Sequence, residues 1–402
     1  LTAQNTLDAQ DLRHRTKELL VAHPPARTDR ATFLQARFDA GLAWVHYPRG
    51  LGGLGAPRSL QRVVDAELEA AGAPDNDPRR IGIGLGMAAP TILAYGTEEQ
   101  KRRFLRPLWL GEEVWCQLFS EPGAGSDLAA LGTRAVLEAD VCGGDWIVDG
   151  QKVWTSGAHA AQWAILVART HPELPKHQGI TYFLCDMSDP GVEVRPLRQI
   201  TGEAEFNEVF LTGVRIPDAH RLGEVGQGWQ VARTTLMNER VSIGGARLPR
   251  EGGMIASVAR TWRERPDLRS HDLHQRLLTL WVEAEVARLT AERLRQQLAA
   301  GQPGPEGSGM KLTFARLNQE ISGLELELCA QEGLFYEDWT MRRPEGVDFT
   351  GRDPAYRYLR AKGNSIEGGT SEILLNIVAE RVLGLPSEPR EDKDVPWKDL
   401  AR

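Results

Sequence analysis

From residue 114 to about 222 the chain gives up helical periodicity for short apolar runs broken by Gly, Pro and Asp. VWCQLFSE, TRAVLEADV, DWIVDGQKVWTSG, WAILVARTH, ITYFLCDM, VEVRPL and EFNEVFLTGVRI follow one another in this window. Their spacing of roughly 8 to 15 residues, with turn residues between, predicts strands of a small antiparallel sheet. Helical patterns are scarce inside the window, which argues against a parallel nucleotide-binding sheet.

Both flanks return to helical spacing. TLDAQDLRHRTKELL opens on Thr6 as a cap candidate with acidic residues in the first turn. RATFLQARFDAGLAWV and SLQRVVDAELEAAGA follow, separated by the tight loop PRGLGGLGAP. RIGIGLGMAAPTILAYG is nearly all apolar and reads as a buried helix, since its glycines lower its propensity. Beyond 226, HDLHQRLLTLWVEAEVARLTAERLRQQLAAG repeats Leu273, Leu277, Leu280, Ala284, Ala287 and Leu294 near every 3.5 residues. TSEILLNIVAERVLG has Thr370 or Ser371 as its cap and an expected apolar face of Ile373, Ile377, Val378 and Val382. The expected division is a helical domain over 1–113, a β domain over 114–225, a helical bundle over 226–386 and a polar, surface-bound or frayed tail over 387–402.

The chain has 402 residues and 41% hydrophobic residues, an ordinary globular composition that supports more than one domain. The 48 basic and 55 acidic residues leave a net charge of −7, which argues against broad nucleic-acid binding. No window is long and apolar enough for a transmembrane helix, and no secretory signal is expected at the N-terminus. Cys116, Cys142, Cys185 and Cys329 fit neither a disulfide framework nor a metal cluster. A reducing cytoplasm is the simplest setting.

Few motifs carry chemistry by spacing alone. EPGAGSD at 121–127 is either an anion-holding backbone loop, with Ser126 adding a hydrogen bond, or a solvent-facing turn. QKVWTSG sets Trp154 beside Thr155 and Ser156. An aromatic plane next to hydroxyls suits a flat, polar-edged ring, and equally a tryptophan of the β core. Ser308 and Lys311 have Ser-x-x-Lys spacing, which a helix start with one surface lysine also gives. The histidines form no HExxH or HxH. Glu239 and Arg240 fall in a helical window, where adjacent residues do not share a face; a solvated surface pair is the plain alternative.

LFSEPGAGSDLA, GQKVWTSGA and SIEGGTSEILLNIVAERVLG, with EFNEVFLTGVRIP and GEVGQGW in order between them, resemble the signature segments of the acyl-CoA dehydrogenase family. The resemblance runs from about 30 to 386, and is nearest to the bacterial branch serving fatty-acid and sterol catabolism. It implies an α+β fold: an N-terminal helical domain, a middle antiparallel β-barrel domain and a C-terminal four-helix bundle. It also implies FAD and an acyl-CoA substrate. A glutamate would remove the α-proton as hydride leaves the β-carbon for flavin N5, giving a trans-2-enoyl-CoA. An electron-transferring flavoprotein or similar acceptor would take the electrons. The family implies a homo-oligomer, tetramer or dimer, with a heteromer as the alternative. The other readings are an acyl-carrier-protein thioester dehydrogenase or oxidase, and a non-catalytic subunit supporting a partner.

By resemblance, Phe119 and Ser120 contact the isoalloxazine, Trp154 packs on it and Ser156 lies near N5. Thr370 and Glu372 approach the dinucleotide, while Ser126 and Arg240 meet the acyl-CoA. Three departures stand out. ARTWRERPDLRSHD lacks the family's Arg-x-x-Phe-Gly segment, and AQEGLF replaces a glutamine with paired glycines. Both segments reach FAD across subunits in the family. The third is the base. The usual glutamate precedes the final Gly-Thr, but here Gly368 stands before Gly369-Thr370. A minority of the family carries its base on an earlier helix before an arginine, which here is Glu239 before Arg240. Glu239 is therefore the expected base and Glu367 the runner-up.

Overall fold

The computed structural model describes residues 7–138, 144–244, 248–299, 307–336, 338–344, 352–390 and 392–400. Thr6 and Cys142 lie outside them.

The first helix, α1 (Ala9–Ala22), is capped by Asp8 rather than by the expected Thr6. The Asp8 carboxylate accepts from the amides of Gln10 and Asp11, and Asp11 returns a bond to the Asp8 amide. It packs with α2 (Arg30–Asp39) and α3 (Gln61–Ala70) around Leu12, Phe33, Val45, Val64 and Leu68. The glycine-rich apolar run is buried as expected, but it is not one regular helix. It divides into α4 (Pro78–Ile83), a π-helical stretch Gly84–Ala88 and α5 (Ala89–Tyr95). A Cβ on Gly84 would lie 3.2 Å from Leu108, a residue of α6 (Glu98–Leu110). The glycine therefore buys close approach at a position where propensity is poor.

Seven strands follow: β1 (Trp115–Leu118), β2 (Arg134–Glu138), β3 (Asp145–Ser156), β4 (Trp163–Arg169), β5 (Ile180–Asp186), β6 (Val192–Pro196) and β7 (Phe206–Pro217). Their order is β1-β4-β2-β3-β7-β6, with β5 also on β4. The pairings β2–β3, β3–β7, β4–β5 and β6–β7 are antiparallel. β1 lies parallel to β4, and β2 meets β4 in parallel at Arg134 and Arg169. The sheet is curled and mainly antiparallel.

Alternation splits the central strands between two cores. Trp163, Ile165, Val167, Ile180, Tyr182 and Leu184 face the N-terminal helices, with Phe104, Met87 and Val231. Ala164, Leu166, Ala168, Phe183 and Cys185 face the opposite core, with Val148, Val209 and Leu211. Each fully buried large side chain contributes about 1.5–3 kcal/mol by leaving water.

The C-terminal part holds α7 (Gly228–Gly244), α8 (Met254–Glu264), α9 (His271–Ala299), α10 (Gly307–Leu328), α11 (Pro354–Ala361) and α12 (Ser371–Arg381). Ile255, Val258, Leu277, Leu280, Leu317, Ile321 and Leu324 form the core of α8, α9 and α10. Thr370 caps α12, accepting from the Ile373 amide at 3.2 Å. On α12 the expected apolar face of Ile373, Ile377 and Val378 is half-buried with Leu374, its most buried residue, at the centre, while Val382, beyond the last turn, is exposed. Among the described residues no helix is long and apolar enough to cross a membrane, and no group of metal ligands forms.

Candidate active site

The loop after β1 is pinned at both ends by one buried ion pair. Lys152 on β3 is fully buried, and its Nζ donates to Glu121 Oε1 at 2.8 Å and to the Phe119 carbonyl at 3.0 Å. Glu121 also accepts from the amides of Gly132 at 2.7 Å and Thr133 at 2.9 Å. Burial raises the Glu121 carboxyl, but the Lys152 charge and these hydrogen bonds hold it below its ordinary value. Burial lowers Lys152, and Glu121 offsets only part of that. The Val153 amide donates to Ser120 O at 2.9 Å, so Phe119 and Ser120 lie against the Trp154 segment. Between these anchors Gly123, Gly125 and Ser126 face solvent. A Cβ on Gly123 or Gly125 would meet nothing within 4 Å, which leaves this backbone open to an approaching ligand.

Trp154 is not a core residue. It is 58% exposed and has φ +61, at a register shift between Lys152 and Thr155 in the β3–β7 ladder. A bulky residue in the left-handed region is uncommon, and bulges of this kind re-aim a side chain beside functional sites. Its ring meets Phe206 edge-on at 5.8 Å. Next to it, the Thr155 hydroxyl is buried without a partner, and half-buried Ser156 pairs with Phe206. An exposed aromatic plane beside an orphaned hydroxyl fits a flat, polar-edged ring such as a flavin.

Two chains of contacts run from this platform to the candidate carboxylates. On one side Phe119 packs edge-on against Tyr182 at 5.9 Å. The Tyr182 hydroxyl bonds Thr235 on α7 at 3.0 Å. Glu239 lies one turn beyond Thr235 on the same helical face and is half-buried. On the other side Phe206 lies under the Arg360 guanidinium at 5.7 Å. Arg360 bridges Glu205 at 3.1 Å and Glu367 at 3.0 Å. Glu367 also accepts from Asn364 Nδ2 at 2.5 Å. The turn between Glu367 and α12 needs both glycines, with φ +64 at Gly368 and +93 at Gly369.

Lys311 anchors the turn on the Glu367 side. Its Nζ donates to the carbonyls of Asn364 at 2.6 Å and Gly369 at 2.8 Å. Burial lowers its pKa, while the charges of Glu367, Glu239 and Glu372 act against that shift. The expected surface lysine is thus 6% exposed and holds the turn of Gly368 and Gly369. Ser308 is buried as well. Thr370 starts α12 as its cap, and Glu372 is exposed in the first turn. The side chain of Arg240 lies outside the described residues.

In the sequence Lys152 and Arg360 carried no role, Glu121 counted only as the start of the EPGAGSD segment, and Lys311 entered only through its spacing to Ser308. Lys152 sits in the strand adjoining Trp154, and its alternation to the buried face was the available signal. Its carboxylate partner lies 31 positions away, where no spacing rule reaches.

Helical layer, curled sheet with an exposed tryptophan and helical bundle together define an α+β architecture with a candidate ring-binding platform. A solved structure described as Tcur3481-Tcur3483 steroid ACAD, G363A variant, has the same fold, with a TM-score of 0.69 and 25% identity. The match covers 94% of this chain and 99% of that one. The N-terminal, middle and C-terminal domain models of the acyl-CoA dehydrogenases match residues 14–112, 116–214 and 226–383. The chain belongs to the acyl-CoA dehydrogenase family. It is 37% identical to acyl-CoA dehydrogenase IpdE1 of Mycobacterium tuberculosis, over 90% of this chain and 89% of that protein. It is 43% identical to acyl-CoA dehydrogenase FadE34 of the same organism over 87% of this chain, but spans only 45% of FadE34.

Proposed function

We propose that the protein carries out FAD-dependent α,β-dehydrogenation of an acyl-CoA thioester to a trans-2-enoyl-CoA, with Glu239 as the base. The observation that carries the assignment is position: Gly368 stands where the usual base would be, while Glu239 stands on α7 one turn from Thr235. Glu367 is committed to Arg360 and Asn364, and Gly368 offers no side chain. Glu239 approaches from α7, behind the Phe119–Tyr182 contact.

Phe119, Ser120, Trp154, Ser156, Thr370 and Glu372 would hold FAD. The cofactor, when bound, supplies the two-electron acceptor. The protein's own task is alignment and proton removal. The open EPGAGSD backbone with Ser126, together with Arg240, binds the thioester. Glu239 takes the α-proton as general base. Arg360 and Lys311 fix the turn of Gly368 and Gly369, so the substrate's approach is bounded by backbone rather than by a second base.

The electron acceptor is an electron-transferring flavoprotein or a similar carrier. The domain division stated above applies, with 387–402 as a separate polar tail. Association is homo-oligomeric through the apolar stripe of α9. The steroid description of the solved relative makes steroid-derived thioesters the first class to screen, beside linear and branched ones. The visible spectrum of purified protein tests the proposal. Oxidised flavin bands that bleach on anaerobic addition of an acyl-CoA are expected. A colourless protein that cannot be reconstituted with FAD would contradict it and favour a non-catalytic supporting subunit.

A further inference from the structure

The C-terminal segment Asp392–Leu400 is docked on the loops that flank the EPGAGSD turn. Asp392 pairs with Lys176 Nζ at 2.5 Å, and the same ammonium pairs with Asp127 at 2.6 Å. Lys176 is buried, and Asp127 is the neighbour of Ser126. Trp397 Nε1 donates to the Ala130 carbonyl at 3.0 Å. The Trp397 amide donates to Leu174 O and that of Lys398 to Pro172 O, both at 2.9 Å, and Pro396 bridges to Pro175.

Beneath the Trp397 ring, at 4.7 Å, sits the Arg169 guanidinium, itself 2% exposed. Arg169 donates to the carbonyls of Ala129 at 2.6 Å and Leu131 at 3.2 Å, and to that of Lys176 at 2.7 Å. One arginine therefore joins both loops, and the tail tryptophan covers it from water. The covered cation draws on the ring as well as on its carbonyls. Ser126 and the two open glycines are exposed, and a Cβ on Gly123 or Gly125 would meet nothing within 4 Å.

We propose that Asp392–Leu400 is a strap that holds the Ser126–Ala130 turn in the shape that binds the coenzyme A portion of the thioester, with Trp397 and Lys176 as positioning residues. The inference rests on the assignment of this turn to the thioester in the proposed function. The strap acts on binding rather than on proton or electron transfer, because the contacts that define it fall on Ala130, Arg169 and the 172–176 loop.

The test uses the FAD-loaded full chain with free coenzyme A as the probe, in Trp397→Ala, Trp397→Phe and Ser126→Ala variants. Coenzyme A affinity is read by calorimetry, and amide exchange by mass spectrometry. Trp397→Ala is expected to weaken coenzyme A about tenfold, the scale of a lost buried hydrogen bond and its support. It should also speed exchange over 126–131 and 172–178, while flavin content and the limiting rate of flavin reduction hold. Trp397→Phe, which keeps a ring over Arg169 but lacks the Nε1–H donor, should recover only part of the affinity. Faster exchange with unchanged coenzyme A affinity would overturn the inference, leaving the strap a purely structural one. A neutral Ser126→Ala would instead remove the assignment of the turn beneath it. Weakened binding in Ser126→Ala with none in Trp397→Ala would remove the strap alone. Should Trp397→Ala fold poorly, Asp392→Asn carries the same readouts from a partly exposed ion pair.

Discussion

Glu205 has both carboxylate oxygens buried without a hydrogen bond, although Arg360 lies 3.1 Å away. Burial, with the nearby charges of Glu367 and Glu203, pushes its pKa from the ordinary 4.5 up to about 7 against the pull of Arg360. Between those two values the folded protein keeps a proton that the unfolded chain releases. Stability therefore falls as pH rises through this window. Glu205→Gln should be more stable than the native protein at pH 8 by about 1–3 kcal/mol, with the gain vanishing near pH 4.5. Denaturant titrations at the two pH values check it; an equal effect at both would show that Glu205 is ionised throughout. Gly368 makes a second residue-scale point. Its φ of +64 would strain a glutamate by about 1–2 kcal/mol, so the turn as built does not favour the usual base.

At the scale of elements, β1, its loop and β3 act as one unit through Glu121 and Lys152. Glu121→Gln would leave the fully buried Lys152 charge without its partner. Breaking a buried pair from one side costs about 3–5 kcal/mol. The variant should lose flavin on gel filtration and melt well below the native protein; a native melting temperature with full flavin would contradict the role given to the pair. All seven strands were legible, because turn residues and apolar alternation are local signals. So were the long helices, whose apolar repeat needs no partner to be seen. The cap at Asp8 was missed because Thr6 and Asp8 are both good capping residues two positions apart. Leu374 was missed on α12 although it adjoins Ile373, Ile377 and Val378 on the expected face, because every turn of that helix carries apolar residues. The exposure of Trp154 was not legible either. It follows from a bulge set by pairing with β7, more than fifty positions away in the register Thr155–Asn207.

At the scale of the molecule, the motifs named the family and most of the platform, whereas the network joining the platform to the bundle depends on tertiary contacts. One surface is also unfinished. Leu278, Val282, Val286 and Leu289 on α9 are each about half exposed and recur at three- and four-residue intervals. Such a stripe is normally covered, so light scattering should give a multiple of the 44.5 kDa chain mass. Val286→Asp should shift the distribution toward the monomer, and a native protein that is strictly monomeric with full FAD would refute the assembly. In the proposed reaction Glu239 on α7 removes the α-proton, and Glu367 holds the turn. Rapid anaerobic mixing of FAD-loaded Glu239→Gln and Glu367→Gln with a reducing acyl-CoA tests it most directly. The Glu239 variant should bind FAD and thioester yet reduce its flavin slower by about 10²–10⁴-fold, the usual reach of a positioned base, while the Glu367 variant loses far less. Native-rate reduction in the Glu239 variant, with loss in the Glu367 variant, would contradict the assignment and make Glu367 the base.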